Sequence, residues 1–305
     1  MVDWLWIPIT VAAALFQCIR TALQKFLKGR MSTGASTFTR FVFGMPVAIV
    51  YALSLLYGLG FGTPAFSPQF FLWVIAGGMA QIVATGLMLY VLNFRNFPVG
   101  IAYTKTEVVQ AAVFGLVFLG DHLTRWGVAS IVVSTLGVML VSLVASGNPV
   151  RALLTGWLER PALLGMTSGG LFAVSAVGFR AASLSLQHPN PIVAAAVTLA
   201  FATTIQTVVL GGFLAWRERE QLGNIAVAWR PSLMAGLTSV LGSAGWFTAM
   251  TLQTVAYVRT VGLVELIFTF LISALWFREK PRATEIAGVA LVVLGIAMVL
   301  NQPAP

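Results

Sequence analysis

Lys105 and Glu107 stand two positions apart inside the apolar run GIAYTKTEVVQ, residues 100–110. At 3.6 residues per turn they point about 200° apart on a helix, so they cannot neutralise each other on one face. Each must find its counter-charge on another helix, on a substrate or in water. Arg20, Arg180 and Glu265 lie in comparable apolar surroundings, and Arg40 and Arg259 lie nearer the ends of theirs. A charge at the centre of a membrane helix costs about 2.5–3.5 kcal/mol on insertion scales, so such residues are normally partnered or functional. The partnered reading joins Arg20, Lys105 or Arg180 to Glu107 or Glu265. The functional reading gives Arg20 and Lys105 a substrate anion, since a guanidinium fork fits carboxylate or phosphate and an ammonium is a compact charge. Glu107 or Glu265 then takes a substrate amine or, if burial raises its affinity for one, a coupling proton.

Other polar residues could complete a cavity. Thr10, Ala13, Gln17, Arg20 and Gln24 follow helical spacing and form a seam too polar for lipid. Gln81 and Thr85 lie in a third apolar run, and Ser239, Ser243, Trp246, Met250 and Gln253 form a seam in an eighth. Tyr90, Tyr103, Trp246 and Tyr257 could supply an apolar wall with hydrogen-bonding tips. Gly236, Gly242 and Gly245 would admit a neighbouring helix closely.

The elements that position these residues follow from composition. Only 9% of the 305 residues are charged, against about 25% in ordinary soluble domains. Mean hydropathy is +0.91. A helix needs about 20 mostly apolar residues to cross a bilayer. Ten runs qualify, near 4–27, 35–57, 69–92, 99–119, 125–145, 162–186, 192–215, 231–252, 257–276 and 284–300. The first of them reads as a membrane helix and not as a cleaved leader, having Asp3 and no early Lys or Arg. The connections are too short for a soluble domain, so function must live within the bilayer.

Basic residues alternate in position. The connections after odd-numbered runs carry Lys25, Lys28, Arg30, Arg95, Arg151, Arg160, Arg217, Arg219, Arg230, Arg278, Lys280 and Arg282; the opposite side carries Arg125. The positive-inside rule makes the first set cytoplasmic and both termini external. This distribution also accounts for the net charge of +9 without a nucleic-acid partner. Cys18 is the sole cysteine, which excludes an intrachain disulfide and a thiolate metal cluster. His122 and His188 fall in short outer connections, where a solvated histidine is expected. No catalytic or metal motif is present, so neither an enzyme nor a cofactor is expected.

An internal repeat is legible. When Glu107 is aligned with Glu265, Asp121 meets Glu279 and Gly137 meets Gly295. AYTKT at 102–106 matches AYVRT at 256–260 after a shift of about one helical turn, and Arg20 matches Arg180. The expectation is an all-α integral membrane protein of ten helices. It forms a single membrane domain of two five-helix repeats, 1–150 and 151–305. Five is odd, so the second copy is inverted, an arrangement suited to alternating access.

These segments resemble the drug/metabolite transporter superfamily. FPVGIAYTKTEVVQAAVFGLVFLGDHLTRWGVASIVVSTLGVMLVS is similar to the last two helices of the small multidrug resistance proteins, and WIPITVAAALFQCIRTALQKFLKG, with LQKF as anchor, to their first. The ten-helix form with Arg40-Phe41 early in helix 2 resembles the EamA-type branch. Two positions depart. Gln17 stands where small multidrug resistance proteins carry a membrane glutamate, and Glu107-Val108 and Glu265-Leu266 replace Glu-Pro. The resemblance implies a transporter in a plasma membrane, such as a bacterial inner membrane, and favours export. Cationic excess in the spans points to an anionic or zwitterionic cargo, amino-acid-like or an organic acid. The bilayer is a further partner, with proton coupling through an acid. A flippase of a lipid-linked or amphiphilic substrate and a non-transporting membrane subunit are the alternatives.

Overall fold

The computed structural model describes residues 4–91, 93–94, 97–143, 156–271 and 282–301. Apolar side chains and a backbone bonded within its own segment are what a bilayer demands, and helices meet both needs. Among the described residues the chain is helical, with no strand. Nine helical stretches there are long and apolar enough to cross a membrane: Trp6–Gln24, Thr33–Gly58, Pro68–Val91, Val99–Leu119, Arg125–Ser142, Arg160–Ser185, Pro191–Arg217, Trp229–Leu252 and Ala283–Leu300. The run expected at 257–276 is described as far as Leu271, as two short helices. Its remainder lies outside the described residues, as do Arg95, Arg151, Arg278, Glu279 and Lys280.

The helices are α1 (Trp6–Lys28), α2 (Thr33–Val42), α3 (Met45–Leu53), α4 (Pro68–Val91), α5 (Phe97–Thr104), α6 (Glu107–Phe114) and α7 (Arg125–Leu143). They continue as α8 (Arg160–Ser185), α9 (Pro191–Arg217), α10 (Arg219–Val227), α11 (Trp229–Leu252), α12 (Val255–Gly262), α13 (Val264–Leu271) and α14 (Ala283–Leu300). Three expected spans are interrupted. The second breaks at Phe43–Gly44, the fourth between Thr104 and Glu107, and the ninth at Leu263. The fourth and ninth break without the Glu-Pro pairs, so residues other than proline open the backbone there. Local signals fix other ends. Ser32 Oγ accepts from Ala35 N at the start of α2, and Asn190 Oδ1 accepts from Ile192 N ahead of Pro191 in α9.

The chain divides into two compact units that each draw on both halves of the sequence. The first comprises Met1–Ile82 and Gly178–Gln253; the second comprises Val83–Val177 and Thr254–Pro305. In the first, α1 runs along α11, and α2, α3, α9 and α11 pack together. Glycines set the spacing: a Cβ on Gly236 would fall 2.4 Å from Phe43 Cβ, and one on Gly245 would fall 2.8 Å from Ala13 Cβ. The expected close approach through these residues is therefore present. Phe66, Phe70, Phe71 and Phe201 form an aromatic cluster, with Phe179 stacked on Phe247 at 4.5 Å. His188 is not merely solvated: its Nδ1 accepts from Asn190 N at 3.0 Å and its Nε2 lies 3.1 Å from Phe61 O.

In the second unit α7 and α14 pack along their lengths, α5 lies on α7, and α12 contacts α6, α7 and α14. The α7–α14 contact is nearly backbone to backbone. A Cβ on Gly137 would sit 2.6 Å from Gly288 O, and one on Gly295 2.7 Å from Ser134 Cβ.

Candidate substrate-binding site

The second unit gathers four charges at two breaks in helices. The backbone turns tightly after α5, with Lys105 N donating to Ala102 O at 3.0 Å and Thr106 N to Tyr103 O at 3.2 Å. α6 restarts with Glu107 in its first turn. In the same way α13 restarts after Leu263 with Glu265 in its first turn. A carboxylate at a helix N-terminus is favoured by the dipole and the free N–H groups there. Both acids thus occupy positions that their half-helices stabilise.

The pairing is crossed. Lys105 Nζ donates to Glu265 Oε1 at 2.5 Å, and Arg259 Nε lies 3.1 Å from Glu107 Oε1. Lys105 and Glu107 therefore find separate partners on the other interrupted span, as their separation on the helix requires. Lys105 also senses the charges of Glu107 and Arg259, so the four act as one electrostatic group. The side chains retain 15–25% exposure.

α8 approaches the first break closely through its glycines. A Cβ on Gly169 would stand 2.6 Å from Thr104 O, and one on Gly170 2.5 Å from Gln110 Oε1. Gln110 Nε2 donates to Thr106 Oγ1 at 2.8 Å and to Met166 O at 3.2 Å, tying α6 to the turn and to α8. Ser168 Oγ donates to Ala84 O at 2.8 Å on the opposite side of α8. Sequence reading passed over Gln110, Gly165, Gly169 and Gly170 and gave Arg259 an end-of-span role. The spacing GMTSG, Gly165 to Gly169, was the available signal.

The remaining predicted residues fall elsewhere. Tyr103 is buried among Val99, Ala102, Met139 and Ala162. Tyr257 rests on Gly127, and its hydroxyl accepts from Thr124 N at 3.2 Å. Tyr90 is 54% exposed, its ring edge-on to Phe94. In the first unit, Gln17 and Arg20 are half-buried on the face of α1 whose neighbours Ala13 and Phe16 meet Gly242. Gln81 Oε1 accepts from Gln206 Nε2 at 2.7 Å; Gln206 is almost wholly buried and was passed over in the sequence, although Thr203, Gln206 and Thr207 follow helical spacing along α9. Trp246 is buried. Arg180 Nη1 donates to Met250 O at 2.5 Å and to Gln253 O, so it caps the C-terminal carbonyls of α11.

Comparison with known proteins agrees with this architecture. A solved structure described as "Crystal structure of protein" superposes with a TM-score of 0.69 at 16% identity, over 96% of this chain and 95% of its own. At that identity the likeness concerns the fold alone. No curated protein shows a significant match. Residues 160–301 match the EamA-like transporter family. That stretch is just under half of the chain, and the similarity to EamA-like membrane transporters is one of this C-terminal part, consistent with the drug/metabolite transporter superfamily.

Proposed function

We propose that the protein carries a small zwitterionic or anionic metabolite, amino-acid-like or an organic acid, across a plasma membrane by alternating access, in the direction of export. The observation that carries this reading is the crossed quartet Lys105–Glu265 and Arg259–Glu107 at two helix breaks. Ion pairs with little exposure are costly to desolvate, and a structural protein gains little by keeping them. A zwitterion presents the same two charges that the quartet already balances. Its carboxylate can replace an acid on Lys105 or Arg259, and its ammonium can replace a cation on Glu107 or Glu265. The acid released from its partner is the natural carrier of a coupling proton. Interrupted helices around a polar site are the arrangement that secondary transporters use.

The inverted-repeat reading, residues 1–150 and 151–305, has geometric support. The offset that carries Glu107 onto Glu265 also carries Ser130 onto Gly288, Ser134 onto Val292 and Gly137 onto Gly295. The contacts are reciprocal under it: Gly137 approaches Gly288 and Val292, while Gly295 approaches Ser130 and Ser134. The first span packs along the eighth, and the sixth meets the third through Gly178 at Trp73 O and Ser168 at Ala84 O.

Counterflow of labelled amino acids and organic acids in proteoliposomes tests the proposal. The expected result is uptake that Lys105→Gln and Glu265→Gln each reduce at least about tenfold, a loss of about 1.4 kcal/mol or more. Unchanged uptake in both variants would sink the quartet as the site. The external termini are tested by cysteine labelling of Asn301→Cys in a Cys18→Ser background; labelling only after permeabilisation would reverse the orientation.

A further inference from the structure

Three arginines at one end of the first unit share an arrangement that the transport reading does not use. Arg30 follows α1, Arg217 closes α9 and Arg230 lies in the first turn of α11. Each guanidinium lies on an aromatic ring: Arg30 on Phe26 at 4.4 Å, Arg217 on Trp216 at 4.3 Å and Arg230 on Trp229 at 5.4 Å. All three arginines are exposed, and Phe26, Trp216 and Trp229 are each more than half exposed. No ion pair reaches these arginines among the described residues, although Glu218 and Glu220 follow Arg217 closely in sequence. Glu218 is engaged elsewhere, accepting from Ser32 Oγ at 2.5 Å.

Fixed contacts bring the three to one place. Ser32 N donates to Gln221 Oε1 at 2.8 Å, which together with the Glu218 bond ties the α1–α2 turn to the start of α10. Leu27, Met31, Leu214, Ile225 and Ala228 belong to one buried cluster, and each arginine stands within three residues of a member of it. α10 belongs to the same end, with Ile225 buried and Leu222 and Val227 exposed. The other end of these helices differs. Trp4, Tyr57, Phe61 and Phe66 are exposed there, but residues 53–68 and 184–191 contain no Lys or Arg. Aromatic rings settle at both membrane–water interfaces, whereas clustered basic residues are drawn to acidic lipid. The rings mark interfacial depth at both ends, and the charge is confined to the end that the positive-inside rule assigns to the cytoplasm.

We propose that this end is a docking surface for anionic phospholipid, with Arg30, Arg217 and Arg230 each holding a headgroup phosphate. A ring against the guanidinium face holds its plane and leaves the edge N–H groups for a bidentate phosphate. A zwitterionic headgroup brings its own ammonium against the same cations, so the surface prefers lipids of net negative charge. The proposal stands apart from the cargo reading, because no residue of the quartet takes part.

The test uses the full chain in a neutral detergent, stripped of lipid, with phosphatidylglycerol or phosphatidylcholine added at matched mole fraction. Thermal unfolding and native mass spectrometry follow the binding. Phosphatidylglycerol is expected to raise the midpoint by several degrees more than phosphatidylcholine, since a ligand that binds only the folded state stabilises it. Each of Arg30→Gln, Arg217→Gln and Arg230→Gln should weaken phosphatidylglycerol binding about fivefold, and the triple variant about a hundredfold. In phosphatidylcholine the triple variant should melt with the wild type, because these side chains are exposed. Replacing all three by Lys keeps the charge without the fork and should give intermediate binding. Soluble glycerol phosphate at the same concentration should produce no shift. Four results would overturn the proposal: equal responses of the wild type to the two lipids; a triple glutamine variant that binds phosphatidylglycerol as the wild type does; a triple glutamine variant destabilised equally in both lipids; or stabilisation by glycerol phosphate equal to that by phosphatidylglycerol, which would make the ligand a soluble phosphate.

Discussion

The two compact units handle buried charge in opposite ways. In Met1–Ile82 with Gly178–Gln253, the spans carry arginines and no acid, and Arg180 turns to backbone carbonyls at the end of α11. In Val83–Val177 with Thr254–Pro305, every cation of the quartet faces a carboxylate, and every carboxylate starts a half-helix. Carbonyls are fixed partners, set by the backbone and unable to exchange. Carboxylates are mobile partners that a ligand of like charge can replace. Exchange is chemically easier at the carboxylates, and on the proposed function it is in the second unit that a zwitterion would compete.

Single substitutions in the quartet should produce the largest effects. Glu265→Leu leaves the Lys105 ammonium without its acid and should cost about 3 kcal/mol, the lower end for a buried pair because of residual exposure. Adding Lys105→Met should recover part of that loss, with a coupling above about 1 kcal/mol in a double-mutant cycle on thermal unfolding. Additive losses would remove the contrast between exchangeable and fixed partners. Arg180→Met should cost about 2 kcal/mol, for charge-assisted bonds to two carbonyls. It should show no coupling to Glu107→Gln; coupling there would mean that the two charge systems are one.

Packing sharpens the comparison at smaller scale. A Cβ on Gly165 would fall 2.1 Å from Gly100 O, so Gly165→Ala should destabilise by about 1–2 kcal/mol and shift the break beside α8. Substrate binding, measured by isothermal titration, should weaken with it; binding at full affinity would uncouple α8 from the site. Gly212 in the first unit has open space at its Cβ position, so Gly212→Ala should be neutral or gain up to about 1 kcal/mol from helix propensity. A loss in melting temperature there would mean a contact that the geometry does not contain.

Much of the fold was legible because membrane helices are written in long apolar runs, and nine of the ten expected appear as spans among the described residues. The breaks were not legible. Nothing in YTKTEV or TVGLVE is a proline, and at Lys105 and Leu263 the backbone turns through local bonds back to Ala102 and Thr260 that no residue type there announces. The separation of Lys105 from Glu107 was readable from helical geometry, whereas the identity of each partner was not. Arg259 looked like an end-of-span charge, and only packing against α6 turned it toward Glu107. The tyrosines misled for a related reason. An amphipathic ring suits a cavity, a core or a surface equally well, and Tyr103, Tyr257 and Tyr90 are respectively in a core, bonded to a turn and exposed.

By itself, the sequence determined the solvent of this protein, the helical class and the small set of residues too polar to face lipid. Those follow from transfer free energies, which depend on composition and local spacing alone. Tertiary structure decided which charge meets which, where spans are interrupted and which glycines admit a neighbouring backbone. Such choices depend on contacts between residues far apart in the chain, and apolar helices of similar composition carry little information about their partners. Lys105 and Glu265 illustrate the division: composition made each one costly, and only the folded chain brought their charges together.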